Sequence, residues 1–134
     1  MLHAFRDDER RRITVTASGV VSLLEVATFV HQHLAGGAWG YAVLHDARAA
    51  ITDETTQTSD IVGHIQAIGG GMRRGPVAVV ATNDRYLTIA RSYAGLANQT
   101  GGRMAVFSDL VDASEWLDRQ IADAERSQGS DRGR

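Results

Sequence analysis

The chain of 134 residues has no cysteine, and none of its 14 basic residues is a lysine. Without cysteine there is no disulfide framework, no thiolate metal site and no thiol nucleophile, and an oxidising compartment is not required. Without lysine, Schiff-base catalysis and the usual phosphate-binding loop that ends in Gly-Lys-Ser/Thr are excluded. Proline occurs once, at Pro76, and no apolar run approaches the length of a membrane span. Residues 1–12 lack the apolar core of a signal peptide, so the expected setting is the cytoplasm. A formal net charge of -2 leaves no electrostatic footprint for nucleic acid.

What is present is enough hydrophobic sequence, 43%, for a single domain that buries roughly two-thirds of its unfolded surface. Leu2 to Phe5 reads as a short strand, followed by a polar turn at Asp7, Asp8 and Glu9. In Arg12 to Ser18, Ile13, Val15 and Ala17 alternate with Thr14 and Thr16, the period of a strand wet on one face; the two strands form an antiparallel hairpin. Ser22 and Glu25 form a capping box, and Leu23, Val26, Ala27, Val30 and Leu34 recur at helical spacing until Gly36 and Gly37. A short strand is expected from Tyr41 to His45, ending at Asp46, then an irregular polar stretch from Ala47 to Thr58. A second helix is expected from Ser59 or Asp60, carrying Ile61, Val62, Ile65 and Ile68.

Pro76 precedes Val77-Ala-Val-Val-Ala81, apolar without alternation, as in a strand covered on both faces. A third helix, capped by Asn83 or Asp84, runs to about Gln99. A last strand spans Met104 to Phe107, and a final helix opened by Ser108 or Asp109 buries Ala113, Trp116, Leu117 and Ile121. The order β-β-α-β-α-β-α-β-α implies an α/β fold: a mixed, mainly parallel sheet of about five strands with an N-terminal hairpin and four helices. Residues 1–126 make the domain. Ser127 to Arg134 carry no apolar side chain and are expected to be a disordered tail.

Three segments resemble the small bacterial SpoIIAA-like proteins, grouped with the STAS (anti-sigma-factor antagonist) domains and loosely with SEC14-like lipid-binding domains. They are Ile13 to Gly19 leading into the Ser22 helix, Leu44-His-Asp-Ala-Arg48, and Val77 to Ala81 with Tyr86 to Tyr93 and Val106 to Asp109. The resemblance covers about residues 2–120. It implies a regulatory, protein-binding module rather than an enzyme, and in its looser form a carrier of a lipid-like or anionic ligand. The family's phosphorylatable Asp-Ser-Ser-Gly-like run has no counterpart; Thr58 and Ser59 are the nearby hydroxyls at an expected helix start, where added charge would meet the favourable end of the dipole.

No motif carries catalysis. Gly69 to Gly75 follows a helix and precedes a strand, the reverse of a dinucleotide loop. His31 and His33 point away from each other on a helix, and no three of the five histidines share a ligating pattern. Neither a metal nor another cofactor is implied. A Ser-His-Asp set drawn from Ser59, His45 and Asp46 lacks the nucleophile elbow. The remaining candidate is the edge where strand ends meet helix starts, expected to carry Asp46, Arg48, Thr82, Asn83, Asp84, Arg85, Ser108 and Asp109, with Tyr86 as a further ligand- or partner-binding candidate. Arg48 and Arg85 there could hold an acidic ligand or a phosphorylated partner. Trp39, near a loop and a strand start, has two readings, an exposed anchor for a partner and the more common half-buried packing role. A protein partner or self-association into a homodimer, through the hairpin edge or a helix face, completes the expectations.

Overall fold

A computed structural model describes residues 1–35, 37–52, 75–99 and 102–132. The elements are β1 (Leu2–Asp7), β2 (Arg12–Val20), α1 (Leu23–Leu34), β3 (Ala42–Ile51), β4 (Val77–Ala81), α2 (Asp84–Gln99), β5 (Met104–Phe107) and α3 (Leu110–Arg132). The five strands form one mixed sheet in the order β1-β2-β3-β4-β5. β1 pairs antiparallel with β2, and the other three pairings are parallel.

The hairpin forms as the alternation requires, with Leu2 opposite Ala17 and Asp7 opposite Arg12. Its turn is held by Asp7 Oδ1, which accepts from the Arg10 amide at 3.1 Å, and it closes through Arg11 at φ 53°, a left-handed conformation for a non-glycine residue. Ser22 caps α1, its hydroxyl accepting from the Glu25 amide at 3.0 Å. The single apolar run becomes β4, lying between β3 and β5 with Ala78, Val80 and Ala81 fully buried.

Period-two alternation divides the sheet between two cores. On one face Ile13, Val15 and Ala17 of β2, Val43 and Ala47 of β3, and Val79 and Ala81 of β4 meet Val26, Val30 and Leu34 of α1 and Tyr86, Leu87 and Ala90 of α2. On the other, Ala42, Leu44, Ala78 and Val80 meet Ala113 and Leu117 of α3, with Trp116 and Ile121 packed around them. Since α3 lies over β3, β4 and β5, the outer face of the hairpin stays open, and Phe5 is 65% exposed there.

Several expectations need correction. β3 does not stop at Asp46 but continues to Ile51, so residues 47–51 are strand rather than irregular chain. The strand survives its polar centre because Asp46 and Arg48 neutralise each other, and because a register shift between Thr16 and Ser18 keeps β2 paired with it to the end. α3 continues helical to Arg132, through the segment expected to be disordered, since each added residue of a formed helix needs one more backbone bond and no apolar side chain. Of the two readings of Trp39 the structure has the packing one, and further buried than half: its indole lies edge-on against His31 with centroids 5.3 Å apart. Three helices are present among the described residues; the expected helix from Ser59, and the glycine-rich loop up to residue 74, lie outside them.

Candidate functional site: an apolar cavity beneath two helices

Between α1, α2 and the sheet lies a cavity of about 50 Å³. Among the described residues α1 contributes Val26, Val30, His31 and Leu34, and Trp39 closes one side. The sheet contributes Val43, His45, Val77, Val79 and Met104, and α2 contributes Tyr86, Ala90 and Tyr93. No arginine and no carboxylate is among them. The space admits several water-sized spheres, but a water needs two or more polar partners, and the walls are mostly aliphatic and aromatic carbon.

The polar exception is a buried pair. His45 sits on the inward register of β3 between Val43 and Ala47, and it is 4% exposed. Its Nε2 lies 2.6 Å from the Tyr86 hydroxyl. Tyr86 is placed by the start of α2, where Asn83 Oδ1 accepts from the Tyr86 amide at 3.0 Å. Burial pushes the His45 pKa down to about 4, against smaller upward pulls from the Val15 backbone and from Asp46. The ring is therefore neutral near pH 7. Its Nδ1 is buried without a hydrogen-bond partner of normal geometry, and so is Nδ1 of His31 on the opposite wall.

The strand-end edge exists as well, on the other side of the sheet. Arg48 Nε and Nη2 donate to the two carboxylate oxygens of Asp46 at 2.9 and 2.8 Å, a bidentate pair that holds the Asp46 carboxyl below its ordinary range. Thr82 Oγ1 donates to the Arg48 carbonyl at 3.1 Å, which joins β3 to the β4–α2 turn. Asp109 is near enough to act on the Arg48 charge, and its Oδ1 caps α3 by accepting from the Val111 and Asp112 amides at 2.7 and 3.2 Å.

Of the sequence-predicted site residues, Asp46, Arg48, Thr82 and Asp109 thus come together, with Asn83 beside them as a cap. Asp84 and Arg85 are exposed in the first turn of α2. Tyr86 does not belong to this edge: it turns inward to His45. Thr58 and Ser59 lie outside the described residues. No group of three or more metal-ligating side chains occurs among the described residues. Sequence reading named His45 as a candidate only in a rejected triad and weighed Trp39 only as a partner anchor or a packing residue, and placed neither beside a cavity. The signal was there for His45: it continues the alternation of Val43 and Ala47 against the inward Ile13, Val15 and Ala17.

No protein-family model and no curated protein sequence matches the chain. Among solved structures it is similar to an uncharacterized protein of the DUF3478 family with a SpoIIAA-like fold from Shewanella loihica PV-4. The two share 19% identity with a TM-score of 0.54, over 87% of this chain and 92% of that one. The chain has a SpoIIAA-like fold. In this SpoIIAA-like frame the cavity occupies the face covered by α1 and α2, and the Asp46–Arg48 pair the face covered by α3. No helix among the described residues is long and apolar enough to cross a membrane.

Proposed function

We propose that this SpoIIAA-like domain is a non-enzymatic binding module that takes up a small, mostly apolar ligand between its sheet and the helices α1 and α2. The observation that supports this reading is the cavity itself: a space lined mostly by carbon, with the buried His45–Tyr86 pair among its lining residues. Interiors are normally packed to the density of organic crystals, and buried polar atoms are normally satisfied. An unfilled space lined by carbon in such an interior is where an apolar occupant would fit. The strand-end edge supports the reading less well, because Asp46, Arg48, Thr82, Asn83 and Asp109 already have partners within the chain. Native mass spectrometry of the protein purified from its own cells tests the proposal. A ligand-sized mass increment lost on denaturation supports it; a bare mass, together with no uptake of an apolar probe, rejects it.

A second reading, a STAS-like regulatory module that docks a protein or a second copy of itself, is favoured by one feature. The outer face of the hairpin presents Phe5 to solvent on the outermost strand. Sedimentation tests it: a concentration-dependent dimer abolished by Phe5→Glu supports the self-association form, and a monomer at every concentration removes that form. The cytoplasmic setting remains part of this reading.

A further inference from the structure

Resting on the second of the readings above, we infer that the partner is a second copy of this chain, and that the two copies join along β1, edge to edge and antiparallel about a two-fold axis at Ala4. The two margins of the sheet differ. β5 is four residues long, and Asn98 closes its outer side. The Asn98 amide donates to the Met104 carbonyl at 3.0 Å and its Oδ1 accepts from the Met104 N–H at 2.8 Å, standing in for a neighbouring strand. Natural sheets block their edges by such devices, which keep other chains from pairing there. β1 is six residues long, in unbroken register with β2, and carries no proline, no lysine and no bulge. Its one arginine, Arg6, is drawn to Asp8 at 2.7 Å and lies over the Tyr41 ring, 5.2 Å from the centroid.

The ladder fixes which backbone groups β1 offers. Met1 and Ser18 exchange both of their backbone bonds, at 2.9 and 2.6 Å. In an antiparallel pair such residues alternate with ones that exchange none. His3 therefore bonds to β2 as Met1 does, while Leu2 and Ala4 turn their N–H and C=O outward. A second β1 centred on Ala4 exchanges two bonds between the two Ala4 residues at the axis. It sets His3 of each copy opposite Phe5 of the other, in the closer, non-hydrogen-bonded kind of pair. Asp7 of the partner then falls diagonal to His3 on the same face, a carboxylate within reach of the imidazole N–H. No two arginines and no two carboxylates come opposite each other in this register. The outer face has room for the contact, because α3 lies over β3, β4 and β5 and leaves Phe5 exposed. On the inner face the axis passes between two alanines. One edge that complements itself is the isologous contact of a two-fold dimer.

The test is amide exchange followed by NMR on the intact chain, read beside sedimentation over a range of concentrations. Where the dimer forms, the Ala4 amide should exchange at least tenfold more slowly than in the monomer, and the Val106 amide on the far margin should not change. Ala4→Pro removes the outward donor and no bond to β2, the position at which an edge strand tolerates proline, so this variant should fold and stay monomeric. A dimer whose Ala4 amide exchanges as in the monomer, or one that persists in folded Ala4→Pro, overturns this inference and leaves self-association through another surface standing. A chain that is monomeric at every concentration overturns both. If Ala4→Pro does not fold, the exchange rates of the unaltered chain decide alone.

Discussion

At the scale of single residues, the inward position of His45 has a thermodynamic consequence that does not depend on any ligand. In the fold its pKa is pushed down to about 4 from an ordinary value of 6.5. Between these two values the unfolded chain binds a proton that the folded chain does not, so stability rises with pH across that window. The loss from neutral pH down to pH 4 is on the order of 3 kcal/mol. Denaturant melts between pH 4.5 and 7.5 should show this slope, and His45→Leu should flatten it. The carboxyl of Asp46 is shifted the other way, below its ordinary 3.8, so the stability it contributes is lost only at still lower pH. Arg11 makes an independent case. Its φ of 53° places a side chain in the left-handed region, which is unfavourable by roughly 1 kcal/mol for a non-glycine residue. Arg11→Gly should therefore leave stability unchanged or raise it by up to about 1 kcal/mol, because the added freedom of the unfolded chain offsets part of the gain. A clear loss of stability would show that the Arg11 side chain does more than turn the corner.

Among elements, caps and apolar patterns were legible in the sequence because they depend on neighbours a few residues away. Ser22 and Glu25 announce the start of α1, and the same logic applies to Asn83, whose side chain receives the Tyr86 amide. Asn83→Ala should cost about 1 kcal/mol by denaturant melt and loosen the turn that sets Tyr86 against His45. The length of β3 was not legible. Asp46-Ala-Arg48 looks like a strand end, because nothing in a linear sequence shows that the two charges close on each other and that β2 shifts register to follow. Gly75 belongs to the same class. A Cβ added there would sit 2.3 Å from the Tyr41 carbonyl oxygen and 2.5 Å from that of Gly40, contacts that come from a segment more than thirty residues away. Backbone cannot yield as a flexible side chain can, so Gly75→Ala should destabilise by about 1–3 kcal/mol and disturb the neighbouring Trp39 wall. A change in Trp emission accompanying the loss of stability is the expected signature.

For the molecule as a whole, β4 is the shared wall of two cores. Val79 and Ala81 face the α1–α2 side, and Ala78 and Val80 face α3. This is why the unbroken aliphatic run at residues 77–81 identified the fold, while the site stayed hidden. A strand buried on both faces must be apolar throughout, whereas a cavity depends on volumes contributed by α1, α2 and three strands at once, which no local pattern encodes. Leu34 and Leu117 test the division, each nearly or fully buried on opposite sides of the sheet. Either one changed to alanine should cost about 2–5 kcal/mol. With the sheet between them and no shared partner, the double variant should lose the sum of the two within roughly 0.5 kcal/mol. The two differ in what they do to the cavity. Leu34 lines it and Leu117 does not, so Leu34→Ala should raise xenon uptake read at the Val30 and Val43 methyls, whereas xenon entering the space that Leu117→Ala opens on the other face should leave those methyls unmoved. A larger xenon response of the Val30 and Val43 methyls in Leu117→Ala as well would mean that the sheet transmits relaxation from one core to the other, and that the cavity responds to packing on the α3 face.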